Sequence, residues 1–230
     1  VLVGGYQKVN RRFHLDYMPL PGGDAAITHP NRISAAYLRE LKIPWGDHLP
    51  SIKSLSSEEK SVLKQQLITQ LNTTLTSSMG RLFDAVASLI GLRHVINYEA
   101  QAAIELEQIA DPSIMDSYCF EFSDDIITFR LLFNEILKDL SENISINIIS
   151  SKFHNAVAKL ALDLCKHIER EITLTHVALS GGVWQNKFLL KKSYQLLSNA
   201  GFTVLIHENI PSNDGGISLG QAVIASKQYK

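Results

Sequence analysis

The sequence SGGVWQN at residues 180–186 lies between an apolar run typical of a strand and a run with the periodicity of a helix. Gly181 and Gly182 let backbone N–H groups approach a phosphate closely, at a point where a helix begins and its dipole favours negative charge. A second turn, NDGG at residues 213–216, occupies the equivalent place in the next strand–turn–helix unit. Together the two turns predict a nucleotide site.

The last quarter of the chain alternates between strands and helices with short links. We expect strands at 174–179 and 202–207, and helices at 186–200 and 216–228. Such connections imply right-handed crossovers between parallel strands, whose carboxyl ends lie side by side. Asp214 would then face the same crevice as the backbone of Gly181 and Gly182. An acidic group beside a phosphate usually implies a metal ion between them.

Each turn taken alone has a simpler interpretation. A Gly-Gly pair after a strand is often only a tight connection, and Asp-Gly is among the commonest turn dipeptides. Their occurrence at equivalent places in successive units favours the nucleotide site over two unrelated turns.

The middle of the chain has a helical pattern almost throughout. Helices are predicted at 30–42, 56–71, 79–91, 97–110, 128–141 and 147–170, after an extended segment at 6–18 and with a short strand at 117–122. A helical lobe beside a sheet lobe follows from this asymmetry. We expect residues 1–28 to be the remnant of a first sheet lobe, 29–145 the helical lobe, and 146–230 a second sheet lobe that carries the nucleotide and metal motifs.

Composition narrows the class of protein. The chain has 230 residues, of which 45% are hydrophobic and 20% charged, as in an ordinary soluble globular protein. The formal net charge of -1 argues against non-specific binding of nucleic acid over the whole surface. The two cysteines lack CxxC spacing, which supports neither a disulfide framework nor a cysteine zinc site. The first residues lack an initiator Met and the layout of a signal peptide, so we expect a piece of a longer protein.

Chemical motifs limit the reaction. The eight histidines form no HxH or HxxxH pair, so a self-contained histidine metal site is not expected. The sequence has neither a GxSxG elbow nor a P-loop, which argues against a serine hydrolase of the α/β-hydrolase type and against a Walker-type ATPase. Asp84 is a candidate for binding ribose hydroxyls. The alternative is a solvated carboxylate paired with Arg81 at helical spacing, and the periodicity leaves both open.

Five sequence blocks carry a family resemblance that covers nearly the whole chain. They are PLPGGDAA at 19–26, TSSMGRLFDAV at 76–86, YEAQAA at 98–103, SGGVWQN at 180–186 and NDGGISLGQ at 213–221. In this order they resemble the C-terminal carbamoyltransferase domain of the hydrogenase maturation family HypF, truncated at its N-terminal side. The resemblance implies an α/β fold of the actin-like, Hsp70-like ATPase (ribonuclease-H-like) type, shared with the tRNA-modifying subunit TsaD. It would be a partial copy, with a large helical lobe beside a parallel or mixed sheet.

The resemblance also implies an activity. The family makes carbamoyl-adenylate from carbamoyl phosphate and ATP, and passes the carbamoyl group to the C-terminal cysteine of the acceptor protein HypE. There it becomes a cyanide ligand of NiFe hydrogenase. The implied partners are a HypE-type acceptor, an adenine nucleotide and the N-terminal domains of the same polypeptide, in the cytoplasm. Alternatives are threonylcarbamoyl transfer to tRNA and a non-catalytic docking module that responds to nucleotide.

Site residues follow from the resemblance motif by motif. It implies nucleotide contacts from Gly181, Gly182, Asn186, Asp84 near the ribose and Glu99 on the pocket wall, with Asp214 on a divalent metal, Mg or Fe. In the family the other metal ligands come from an upstream histidine motif that this chain lacks. Ala100 stands where relatives often carry Gly, and Trp184 where Phe is common, so both could reshape the pocket. No motif identifies a catalytic residue.

Overall fold

A computed structural model describes residues 1–228 of the chain, which form nine short strands and ten α-helices. The strands are β1 (Leu2–Gly4), β2 (Val9–Arg11), β3 (His14–Leu15), β4 (Met18–Pro21), β5 (Thr73–Thr76), β6 (Glu121–Ser123), β7 (Ile126–Thr128), β8 (His176–Ala178) and β9 (Thr203–Leu205). The helices are α1 (Asp24–Ile27), α2 (Pro30–Glu40), α3 (Pro50–Lys53), α4 (Ser57–Thr69), α5 (Met79–Leu89), α6 (Gln101–Gln108), α7 (Arg130–Ser141), α8 (Ile146–Glu171), α9 (Lys187–Asn199) and α10 (Ile217–Gln228). Among these residues, no helix combines the length and hydropathy needed to cross a bilayer.

Each segment with a predicted helix contains one. The start of α4 shows why the local signals sufficed, because Ser56 and Glu59 form a capping box. The Ser56 hydroxyl accepts from the Glu59 N–H at 3.1 Å, and the Ser56 N–H donates to the Glu59 carboxylate at 2.8 Å. The strand predicted at 117–122 is shorter and shifted, to Glu121–Ser123.

The strands form four small sheets. Strands β1–β2 and β4–β5 are antiparallel pairs, and β3, β7 and β6 form a mixed three-stranded sheet. Strands β8 and β9 are parallel, with His176 opposite Thr203 and Ala178 opposite Leu205. Helix α9 connects them, so the predicted parallel pairing near the end of the chain is confirmed.

Helix α5 lies at the centre of the helical part. Its residues from Leu82 to Leu89 are all buried, including Asp84 and Ser88. Helices α2, α3 and α6 all contact it. Of the two interpretations of Asp84 that the periodicity left open, the solvated carboxylate is therefore wrong. Small residues on both α2 and α5, among them Ala36 and Ala85, are fully buried and allow close packing.

Two clusters of buried apolar side chains lie beneath these elements. The larger takes residues from every predicted segment, for example Phe13, Phe83 and Phe153. The smaller consists of Leu179, Leu197 and Phe202 and lies beside the β8–β9 sheet. The segments 1–28, 29–145 and 146–230 stay predictions, and residues 229 and 230 of the last lie outside the described part of the chain.

Candidate functional site

A cavity of about 600 Å³ forms where several helices begin. Its lining residues come from 78–83 at the start of α5, 99–107 in and before α6, 182–186 after β8, and 213–215 after β9. Helix N-termini carry partial positive charge and free N–H groups, so their convergence favours an anion. The fold therefore creates a concave site suited to a phosphate-bearing ligand.

The turn after β8 supplies backbone donors. Gly181 has φ +110°, a conformation open to glycine, and its N–H donates to Ser212 O at 2.7 Å. This bond ties the turn after β8 to the turn after β9, as the parallel strands predict. Gly182 and Val183 both line the cavity, and no hydrogen bond within residues 1–228 uses their N–H groups. These two donors are available to a ligand.

The turn after β9 places Asp214 in the same cavity. The Asn213 side chain accepts from the Gly215 N–H at 3.1 Å and begins a short 3-10 turn, in which Asp214 is exposed. Within residues 1–228, no three His, Cys, Asp or Glu side chains come together as a metal-binding group. Asp214 therefore offers a single carboxylate, and the described residues do not fit a metal centre on their own.

Asp84 lies beneath the cavity wall rather than among the lining residues. Its carboxylate is fully buried, 3.0 Å from Nη1 of Arg81, and Arg81 does line the cavity. The predicted pairing of Asp84 with Arg81 is confirmed, but the expectation that the paired carboxylate is exposed to solvent is wrong. Burial raises the pKa of Asp84 to about 6, and the charge of Arg81 opposes this rise. The role of Asp84 near a ribose stays a prediction.

The loop before α6 contains Glu99 and Ala100, which both line the cavity. Glu99 is exposed, whereas Ala100 is the N-terminal cap of α6 and has φ +61°. A left-handed conformation costs an alanine about 1–2 kcal/mol. An alanine at position 100 therefore strains the backbone at the cavity wall. Trp184 is not a lining residue of this cavity; it packs on both apolar clusters.

The backbone N–H groups in the first turn of α9 already have hydrogen-bond partners within the protein. Asn186 caps it, since its Oδ1 accepts from the Leu189 N–H at 2.8 Å. The carboxylate of Glu107, on α6, accepts from the N–H groups of Lys187 at 2.7 Å and Phe188 at 3.1 Å. The helix start that the sequence assigns to a phosphate is thus taken by Glu107. The free donors lie earlier, at Gly182 and Val183.

Two residues of this region were missed by sequence reasoning, Glu107 and His154. His154 is fully buried on α8, and its Nε2 lies 2.9 Å from Nδ2 of Asn186. A polar residue within an apolar helical stripe indicates a buried partner, and this signal could have found His154. Glu107 carried no such signal, because its partners are eighty residues away in sequence.

Charged side chains make the cavity acidic overall. Glu99, Glu107 and Asp214 line it with three carboxylates, against the single guanidinium of Arg81 among the described lining residues. Glu107 is already neutralised in part by the α9 N–H groups. A phosphate would therefore be stabilised by Arg81 and by the backbone dipoles. Because the phosphate adds negative charge to three carboxylates, a cation bound with it would also be stabilised.

Replacing Ala100 with glycine should remove the strain of the left-handed cap. We expect A100G to raise the free energy of unfolding by up to about 1 kcal/mol, measured by urea denaturation. Ala103, in the interior of α6, is the matched control, and A103G should lower the free energy by about 1 kcal/mol. Equal losses in both variants would contradict the strain at position 100.

Asp84→Asn should alter the pH dependence of stability. Because the folded pKa of Asp84 is about 6 and the ordinary value is 3.8, the folded state takes up a proton between these values that the unfolded state releases. Stability should fall as pH rises through this window, by up to about 3 kcal/mol, and D84N should lack this fall. Unfolding midpoints at several pH values measure it, with D124N on an exposed aspartate as the control. Parallel curves for wild type and D84N would refute the assignment.

Comparison with known proteins identifies the family. Residues 1–221 match a family model described as the second subdomain of a carbamoyltransferase, Kae1-like domain. Carbamoyltransferase HypF of Synechocystis sp. is 32% identical over 94% of this chain and 30% of its own length. Carbamoyltransferase HypF of Rhodobacter capsulatus is 30% identical, over 100% of this chain and 30% of its own length. The chain thus spans less than a third of these relatives.

Solved structures agree. A full-length HypF in a phosphate- and nucleotide-bound form superposes with a TM-score of 0.91, at 37% identity, over 98% of this chain and 36% of that one. HypF of T. kodakarensis gives a TM-score of 0.82 at 29% identity, over 99% of this chain and 31% of that one. The expected α/β fold of the ribonuclease-H-like ATPase type is confirmed by these matches. The chain belongs to the HypF carbamoyltransferase family, in which it corresponds to the second subdomain of the Kae1-like domain.

Proposed function

We propose that this chain holds an adenine nucleotide in its cavity and forms part of the site that transfers a carbamoyl group during hydrogenase maturation. The observation that carries the proposal is the convergence of two glycine-containing turns and four helix starts on one cavity of about 600 Å³. Its volume is in the range of small-molecule sites. The similar HypF structure that is described as nucleotide-bound supports the same class of ligand.

The nucleotide's phosphate fits the side of the cavity that follows β8. The N–H groups of Gly182 and Val183 are free donors there, and Arg81 provides a positive side chain. Asp84 keeps Arg81 in place through their contact at 3.0 Å. Glu99, in the loop before α6, and Asn186, which caps α9, also line the cavity, where their side chains can contact the nucleoside. These roles are proposals, and they are supported by the position of each residue in or beside the cavity wall.

The transfer step needs little chemistry from this chain. In carbamoyl-adenylate the carbamoyl carbon is already activated; the acceptor thiolate attacks it, the C–O bond to the phosphate breaks, and AMP leaves with the electron pair. The donors at Gly182, Val183 and Arg81 would stabilise the charge on the departing phosphate. A thiolate that is already ionised needs no general base. The chain's part is to bind and orient the nucleotide.

A divalent metal is part of the proposal only through Asp214. Among the described residues, Asp214 belongs to no group of three His, Cys, Asp or Glu side chains, so an ion would need oxygen atoms from the nucleotide and ligands from outside the chain. The roles of Gly182, Val183 and Arg81 do not depend on a metal.

The acceptor and the location follow from the family. We infer that the acceptor is the C-terminal cysteine of a HypE-type protein, that the product becomes a cyanide ligand, and that the reaction takes place in the cytoplasm. Because the relatives are more than three times longer, the complete activity belongs to the longer protein, whose other domains would be further partners.

Filling the cavity should block nucleotide binding. Ile104 lines the cavity and is 38% exposed, so I104W can enter the cavity without disturbing the core. We expect at least a tenfold loss of affinity for ATP or AMP, about 1.4 kcal/mol, in calorimetric titration. The control is I68W on α4, where Ile68 is 61% exposed and does not line the cavity. Unchanged affinity in I104W would exclude this cavity as the nucleotide site.

Asp214→Asn should weaken nucleotide binding only through a cation. We expect D214N to weaken nucleotide binding in the presence of Mg²⁺ and not to weaken it in EDTA, where the loss of a negative charge only relieves repulsion of the phosphate. Glu99→Gln removes another carboxylate of the same cavity and is the matched control, because it should change both affinities by the same factor. Equal changes for D214N with and without Mg²⁺ would remove the metal from the proposal.

A further inference from the structure

We propose that His154 is a positioning residue that fixes the side-chain amide of Asn186, so that Asn186 offers a ligand its remaining N–H as a hydrogen-bond donor. The ligand must then present an acceptor atom to position 186. The juxtaposition that supports this is a chain of contacts, from the backbone of α8 through His154 to the cavity wall. Its final step, the ligand contact, rests on the proposed nucleotide site, whereas the orientation of Asn186 does not.

The backbone of α8 determines which ring nitrogen of His154 carries the proton. Nδ1 lies 2.8 Å from the carbonyl oxygen of Ser150. A carbonyl oxygen only accepts, so Nδ1 must be the protonated nitrogen. The Ser150 hydroxyl does not compete for this role, because it donates to Leu106 O at 2.5 Å. In a neutral ring Nε2 then has a free lone pair.

The surroundings of His154 keep the ring neutral. It is fully buried and makes edge contacts with Phe83, Phe153 and Phe188, at centroid distances of 5.3, 6.0 and 5.3 Å. Burial lowers the pKa of His154 to about 4, although the bond to Ser150 O opposes this. Within the described residues, the polar partner of Nε2 is Nδ2 of Asn186, at 2.9 Å.

The amide of Asn186 therefore has a defined direction. Its nitrogen faces the lone pair of Nε2 and donates one proton to it. Its oxygen accepts from the Leu189 N–H at 2.8 Å, which independently requires the same orientation. The second N–H belongs to a residue that lines the cavity. Ring nitrogens, ribose oxygens and phosphate oxygens of a nucleotide can accept from this group, and the amino group of adenine cannot.

Helix α9 does not need His154 for its own stability. Glu107 accepts from Lys187 and Phe188, and Asn186 accepts from Leu189, so three N–H groups of the first turn have partners without His154. What His154 adds is a second contact on the amide, an acceptor for Nδ2 that holds this orientation together with the bond from Leu189.

The tautomer of His154 can be measured without any nucleotide. In protein labelled with ¹⁵N-histidine, the nitrogen shifts and long-range proton couplings near neutral pH should show His154 protonated on Nδ1. A ring protonated on Nε2, or on both nitrogens, would overturn the proposal, whether or not a nucleotide binds.

Three variants test the ligand contact by calorimetry with AMP. Asn186→Asp should still cap α9, because Asp and Asn are equivalent caps, but it has no N–H to donate. We expect N186D to lose about tenfold in affinity, the scale of one hydrogen bond left unmade. His154→Gln should restore an acceptor towards Asn186 and stay within about threefold of wild type, whereas His154→Leu should lose affinity like N186D.

The outcomes separate the ligand contact of Asn186 from its orientation by His154. Unchanged affinity in N186D and H154L would overturn the positioning role, and so would equal losses in H154Q and H154L. If H154L does not fold, N186D alone decides the ligand contact. If wild type binds no AMP, the proposed function fails, and the labelled histidine still tests the contact between His154 and Asn186.

Discussion

Helix α5 is surrounded by other elements along its length, so each polar side chain on it needs a partner inside the protein. Asp84 meets this requirement only in part, because its carboxylate lies 3.0 Å from Nη1 of Arg81 but neither carboxylate oxygen has a hydrogen-bond partner among the described residues. This contact holds the guanidinium beside the cavity. The first residues of α5 are part of the cavity wall, and Phe83 reaches from it to His154. Packing of this one helix therefore determines where the cation and one wall of the site lie.

The cavity is built from loops and helix starts, and long-range hydrogen bonds hold these together. Ser212 accepts from Gly181 across the two turns, Glu107 joins α6 to α9, and His154 joins α8 to Asn186. Each contact satisfies a backbone or side-chain group that would otherwise be unpaired inside the protein. The same contacts leave Gly182 and Val183 as free donors. Within this one turn, the N–H of Gly181 holds the structure together, whereas the N–H groups of the next two residues can bind a ligand.

Local signals account for what the sequence could predict. The capping box at Ser56, the apolar spacing of α5 and the glycine turns after β8 and β9 depend on nearby residues, and the structure contains all of them. Strand β5 was not predicted, because its pairing partner β4 lies more than fifty residues earlier. The burial of Asp84 was likewise invisible, since a helical pattern shows spacing but not what packs on the polar side. Glu107 and His154 depend on contacts distant in sequence.

Helix α8 continues without a break past both apolar clusters. Phe153 and Leu164 belong to the larger cluster, while Leu162 and Cys165 pack against the smaller one. Its 26 residues make a rod of about 39 Å. Because a regular helix is stiff, α8 does not bend easily between the helical part and the β8–β9 sheet. A displacement of the sheet would be transmitted mechanically to His154, and so to the cavity wall.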